Sequence, residues 1–219
     1  MSLSTPNIAH FTESDYEHIY EPAEDSFILL DALELDAQDL RRMHPSVCVE
    51  IGAGSGVVSA FMSNLLGHEN SFVISTDMNP HACRATTRTG TANNTILDPV
   101  QCNLIDPLLP RLAEKVDVLL FNPPYVPTDN EELQMTQESR GIGGAWAGGA
   151  DGMTITNTVL QQLPNLLSPG GRLYLVAIHQ NNTKDINARM LFLGLQSKEI
   201  IKRRAGRELL SVLRISKPI

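Results

Sequence analysis

Asp117-Val-Leu-Leu-Phe-Asn-Pro-Pro-Tyr125 is an apolar run that ends in a stiff polar turn, and the rest of the chain falls into place around it. Residues 116–121 are too few for a helix and carry no periodic polar face, which predicts a central strand of a parallel sheet covered on both sides. Pro123 and Pro124 stop that strand. A proline has no N–H and biases the residue before it toward extended backbone, so Asn122 is expected to stand at the carboxyl end of the strand, the edge where open α/β sheets bind ligands. The Asn122 side-chain carbonyl and the Pro123 main-chain carbonyl are two acceptors for a planar NH2, and the Tyr125 ring offers a face for stacking. The turn therefore suits an amide or an exocyclic amino nitrogen.

Helices alternate with strands on both sides of this stretch. Residues 1–15 are expected to be a flexible tail, after which Tyr20-Glu-Pro-Ala-Glu-Asp-Ser26 leads into one amphipathic helix, with Phe27, Leu30, Leu33 and Leu40 near one stripe, ending around His44-Pro45. Residues 47–51 form the first expected strand, 52–56 a glycine turn and 57–66 a helix. The second strand, 72–76, is closed by Asp77, and Asn79-Pro80 begins a helix that runs to about Ala92. Residues 98–104 read as a weaker third strand because Val100, Cys102 and Leu104 alternate. Beyond the fourth strand, 153–167 is helical, 168–171 a turn, 172–178 the fifth strand and 183–192 a helix. Residues 196–203 and 208–215, joined near Gly206, predict an antiparallel hairpin. This order predicts a single α/β domain over residues 1–219, doubly wound around a seven-stranded, mostly parallel sheet. The 31 residues from Asn122 to Gly152 have little regular pattern, and six of the last twelve are glycine. A loop of that length is uncommon without a function, so a lid over the Asn-Pro-Pro-Tyr turn is expected, with a passive surface excursion as the alternative.

The turn after the first strand carries the second set of clues. Gly52, Gly54 and Gly56 follow a strand and open a helix, which lets backbone approach a ligand closely, and Glu50 precedes them. Asp77, ending the next strand, can accept both hydroxyls of a ribose. A dinucleotide fingerprint would place glycine at position 57, where Val57 stands, whereas Gly-x-Gly-x-Gly is the pattern of S-adenosylmethionine sites.

Composition narrows the classes further. With 42% hydrophobic and 19% charged residues the chain can bury a core, and its net charge of −8 argues against non-specific nucleic-acid binding. The one basic cluster, Lys202-Arg203-Arg204 with Arg207, reads as a solvated strand end. Cys48, Cys83 and Cys102 fit neither a disulfide framework nor a zinc site, and the six histidines are scattered, so no metal is expected. No apolar run reaches about 18 residues and the first residues lack a basic and apolar signal, so neither a membrane span nor secretion is expected; the expected location is cytoplasmic or nuclear.

Glu50-Ile-Gly-Ala-Gly-Ser-Gly56, Asp77 and Asn122-Pro-Pro-Tyr125 together resemble the Rossmann-like class I S-adenosylmethionine-dependent methyltransferases that act on amino nitrogens. Tyr20-Glu-Pro-Ala-Glu-Asp-Ser26 and Ala145-Trp-Ala-Gly-Gly149 extend the resemblance over nearly the whole chain, to the eukaryotic and archaeal HemK-like glutamine methyltransferases of class I release factors. The resemblance implies transfer of a methyl group from S-adenosyl-L-methionine to the glutamine amide of a Gly-Gly-Gln motif. It also implies a heterodimer with a small zinc-binding activator protein, expected to dock on the strand-three edge around residues 99–104. Histone lysine and nucleic-acid adenine are the alternative acceptors that the resemblance brings with it. Carried over, Tyr20, Ser26, Glu50, Gly52, Gly54, Gly56, Asp77, Met78, Asn103, Leu104 and Asn122 would bind the cofactor. Asn122, Pro123, Pro124, Tyr125 and Val126 would hold the substrate, with Asn122, Pro123 and Tyr125 catalytic. Where relatives of this kind place an aspartate for the adenine amino group, Asn103 stands here, so weakened adenine recognition is expected.

Overall fold

The computed structural model describes residues 3–67, 69–125 and 152–219. Seven strands form one sheet in the order β3-β2-β1-β4-β5-β7-β6: β1 Val47–Ile51, β2 Phe72–Asp77, β3 Val100–Gln101, β4 Val116–Phe121, β5 Leu167–Ile178, β6 Gln196–Ala205 and β7 Glu208–Ser216. The first five run parallel, and β7 pairs antiparallel with both β5 and β6. The chain proceeds outward from β1 to β3 and then resumes on the other side at β4. The reversal opens a crevice beyond the carboxyl ends of β1 and β4.

The apolar run that opens the sequence reading is continuous because β4 is covered on both faces. Val118 and Leu120 join Cys48 of β1 and Tyr174 and Val176 of β5 in one cluster, while Leu119 and Phe121 join Val49, Ile51, Leu173 and Leu175 in the other. The first face is covered by α1 (Glu24–Leu35), α2 (Ala37–Met43) and α3 (Val57–Leu66), and the second by α5 (Thr154–Leu166) and α6 (Thr183–Phe192), while α4 (Pro80–Ala92) leads from β2 toward β3.

Four local expectations change. The single N-terminal helix is broken at Asp36, whose backbone (φ −93°, ψ 7°) leaves the helical region. The Asp36 carboxylate accepts from Tyr174 Oη and Arg214 Nη1, both at 2.7 Å, and this tie to β5 and β7 outweighs helix continuity. The third strand shrinks to two residues because Leu104 takes a left-handed φ of 48°, turning the chain before the alternation can extend. The turn expected at 168–171 is instead absorbed into β5, with a register shift against β4 between Val116 and Val118. The expected tail is pinned from residue 3 onward: Leu3 N–H donates to Glu34 (2.8 Å), and Asn7 and Asn93 exchange hydrogen bonds. Arg88 pairs with Asp15 and lies over the Phe11 ring, and Phe11 and Ile19 pack on Ala82 and Ala85 of α4. The segment thus exchanges chain entropy for a small apolar cluster of its own. The expected lid, with Val126 and the motif at residues 145–149, lies outside the described residues.

Candidate active site

A cleft of about 170 Å³ opens at the crevice between β1 and β4. Its walls include Tyr20, Ser26, Glu50, Gly52, Gly54, Asp77, Met78, Asn103, Leu104, Asn122, Pro123 and Pro124, so most of the residues singled out in the sequence converge on it. Ile19 and Asp25 from the N-terminal segment and Ile155 from α5 also line it, and none of these three was assigned to the site from sequence.

On the β1 side, Gly52 and Gly54 have positive φ and open space where a side chain would begin, so backbone can lie directly against a ligand. The Gly54 N–H donates to Asp77 Oδ2 at 2.9 Å and the Asn79 N–H to Oδ1 at 2.8 Å, which fixes the carboxylate at the end of β2. Burial raises the Asp77 pKa, against these hydrogen bonds. Glu50 is buried at the wall of the cleft and accepts from Ser59, and its pKa is pushed up to about 8, chiefly by burial. The pairing suits a cofactor with ribose hydroxyls and a cationic end, since Asp77 is aimed and Glu50 can ionise when a cation arrives.

Gly56 corrects the sequence reading. It does not line the cleft, and a Cβ there would lie 2.7 Å from Thr86 Cα, so this glycine lets α3 and α4 pack closely. Asn103 is exposed on the cleft wall and gives its Nδ2 to Asp106 Oδ2 at 3.0 Å. That leaves its carbonyl oxygen as the acceptor on offer.

On the β4 side the Asn-Pro-Pro-Tyr turn is held from behind. Asp25 Oδ2 accepts from Asn122 Nδ2 (3.1 Å), Tyr20 Oη (3.0 Å) and Tyr125 Oη (3.0 Å), and Oδ1 accepts from the Ser26 N–H (2.7 Å). Burial, reinforced by the Asp25 charge, pushes both phenols well above their ordinary pKa, so they remain donors at neutral pH. Tyr125 therefore departs from its expected role. Its ring is 9% exposed within the apolar cluster and its hydroxyl is bound to Asp25, so it does not offer a stacking face to the cleft. Tyr125 and Gly152 lie close together here: a Cβ on Gly152 would fall 2.1 Å from the Tyr125 carbonyl oxygen, and Asn181 Nδ2 reaches that oxygen at 3.4 Å. Asn122 Oδ1 is buried and has no hydrogen-bond partner among the described residues. Asp25 could not be assigned from sequence, since the donors that define it stand up to 100 residues away.

The strand order, the glycine turn after β1 and the Asn-Pro-Pro-Tyr turn after β4 place the chain among the class I S-adenosylmethionine-dependent methyltransferases. The family described as the methyltransferase small domain matches residues 26–139. The chain is 45% identical over 216 residues to methyltransferase HEMK2 of Mus musculus, covering 99% of this chain and 98% of that protein. It is 42% identical to the eRF1 methyltransferase catalytic subunit mtq2 of Schizosaccharomyces pombe, covering 97% and 95%. A chain of the E. cuniculi Mtq2-Trm112 complex shares the fold, with a TM-score of 0.66 at 24% identity over 91% of this chain and 98% of that one. The chain belongs to the release-factor glutamine methyltransferase family.

Proposed function

We propose that this chain transfers a methyl group from S-adenosyl-L-methionine to the side-chain amide nitrogen of the glutamine in the Gly-Gly-Gln motif of a class I release factor. The observation that carries the reading is the Asn122 amide: its Nδ2 is committed to Asp25, and its buried Oδ1, in the turn after β4, has no hydrogen-bond partner among the described residues. An oxygen in that position recognises a donor, and a primary amide is a neutral, planar donor of two N–H bonds. The cofactor, when bound, supplies an electrophilic methyl group. An amide nitrogen is a poor nucleophile because its lone pair is delocalised, so the protein must contribute position and charge. Asn122 Oδ1 and the Pro123 carbonyl would hold the two N–H bonds and stabilise positive charge as it develops on nitrogen. Asp77, Gly52 and Gly54 would hold the ribose end of the cofactor, and Glu50 its cationic end.

The reading extends to a partner. The S. pombe relative is named a catalytic subunit, and the E. cuniculi structure is a complex with Trm112. Among the described residues β3 has one hydrogen-bonded neighbour, and Ile96, four residues before it, is 93% exposed. A small zinc-binding activator would add backbone hydrogen bonds at this edge and cover Ile96. A release-factor substrate makes the cytoplasm the place of action, with the nucleus as a second location.

The test compares methyl transfer by the complex to four acceptors under one set of conditions: a release-factor domain, its Gln-to-Ala variant, a histone tail and adenine-containing DNA. Transfer to the first alone is expected. Equal labelling of the first two, or faster labelling of either of the others, overturns the reading. Asn122→Ala is expected to lower kcat on the release factor by roughly 100-fold or more while leaving cofactor affinity nearly intact.

A further inference from the structure

Asp25 is the most heavily solicited carboxylate of the site. It is 4% exposed, it accepts from Tyr20, Tyr125, Asn122 and the Ser26 N–H, and none of the ion pairs among the described residues includes it. A carboxylate that gathers only donors imposes a direction on each of them. Asn122 is the one partner for which direction decides chemistry, because its amide has a donor end and an acceptor end of nearly the same shape. Turned one way, it recognises an N–H; turned the other, it recognises a lone pair.

We propose that Asp25 is a positioning residue that sets the acceptor specificity of the enzyme by locking the Asn122 amide with its oxygen toward the methyl acceptor. The inference rests on the glutamine reading above and adds the residue through which Asn122 acquires its polarity. The Asn122 NH2 cannot face away from Asp25 without bringing two oxygens together, so the flipped rotamer is excluded by the carboxylate itself. Donation to a carboxylate also draws electron density through the amide toward Oδ1, which strengthens that oxygen as an acceptor for an acidifying N–H. Tyr20 and Tyr125 both donate to Oδ2, the same oxygen that accepts from Asn122. Their sites in the chain, five residues before Asp25 and 100 after it, link the N-terminal segment to the end of β4.

Asp25→Asn keeps the shape and removes the rule, since an asparagine at this position can present either end to Asn122. In the complex acting on a release-factor domain, Asp25→Asn is expected to lower kcat roughly 10- to 100-fold with cofactor affinity within about twofold of wild type. A structural role alone would give the same loss in any background, so the deciding readout is the double-mutant cycle with Asn122→Ala. Once Asn122 has lost its amide, Asp25→Asn should cost less than about threefold further. Additive losses overturn the proposal. A second measurement needs no variant: with 15N-labelled asparagine, one Asn122 side-chain amide proton in the wild-type complex should be shifted downfield and slow to exchange before substrate is added. Exchange as fast as that of surface asparagines overturns the proposal even where Asp25→Asn fails to fold. Wild-type complex that leaves the release factor unlabelled would refute the glutamine reading, and the amide resonance would still decide the orientation.

Discussion

Gly56→Ala separates two roles that the sequence pattern had merged. Gly56 has φ +78°, and an alanine there incurs a left-handed backbone penalty of about 1–2 kcal/mol. Its Cβ would also lie 2.7 Å from Thr86 Cα, a backbone atom of α4 that cannot rotate away. Separating two packed helices by the required fraction of an ångström is an overpacking effect of about 1–3 kcal/mol. For a chain of this size each kcal/mol shifts Tm by about 2–4 °C, so a fall of roughly 4–20 °C is expected. The assay is thermal unfolding of the complex by calorimetry, followed by titration with S-adenosylmethionine at a temperature where the variant remains folded. Cofactor affinity there should be close to that of wild type. Gly54→Ala is the contrast: its φ of +53° carries the same backbone penalty, but the space beside it is open, so stability should fall less than in Gly56→Ala and affinity substantially. Unchanged Tm in Gly56→Ala, or a more than tenfold loss of affinity at intact stability, would refute the assignment of Gly56 to packing.

Three further outcomes follow from the site. Asp77→Ala should weaken cofactor binding by about 1.5–3 kcal/mol, the loss of charge-assisted hydrogen bonds, measured by calorimetric titration; unchanged affinity would remove Asp77 from the site. Asn103→Asp should tighten cofactor binding several-fold by offering a charged acceptor, an effect reduced by the neighbouring Asp106 and larger when Asp106 is made Asn; titration of the two variants checks the order. Glu50, with a pKa raised from 4.5 to about 8 by burial, binds its proton more tightly folded than unfolded. Its contribution to the stability of the cofactor-free protein is complete below about pH 4.5 and lost as pH rises through about 8, so Glu50→Gln should flatten the pH dependence of Tm across that window.

What the sequence conveyed well was anything encoded locally. β1 and β4 are short apolar runs stopped by Gly52 and by Pro123, and such punctuation is visible without coordinates. Asp77, at the end of its strand, and Asn122, before two prolines, were recognisable for the same reason. What escaped depends on distant partners. Asp36 breaks a helix because Tyr174 and Arg214 wait 138 and 178 residues away, and Asp15 holds down the first residues through Arg88, 73 residues on. Tyr125 was misread because a tyrosine in a recognition motif suggests a ring on display, whereas its hydroxyl serves a carboxylate that only the fold brings near. Gly56 belongs to a glycine pattern, yet only the position of Thr86 shows which of the three glycines serves packing.

The place of β4 between β1 and β5 matters for how the polypeptide is made. By the time β2 leaves the ribosome, Tyr20, Ser26, Glu50, the glycine turn and Asp77 have all been synthesised, while Asn122 is still 45 residues away. At about 5–20 residues per second that interval is roughly 2–9 s. Throughout it β1 is an apolar edge strand awaiting its inner neighbour, a surface open to pairing with other chains until β4 arrives. A chain interrupted in that window would hold most of the groups proposed to bind the methyl donor and none of those proposed to hold its acceptor, and it would carry an unpaired strand that a chaperone would have to shield.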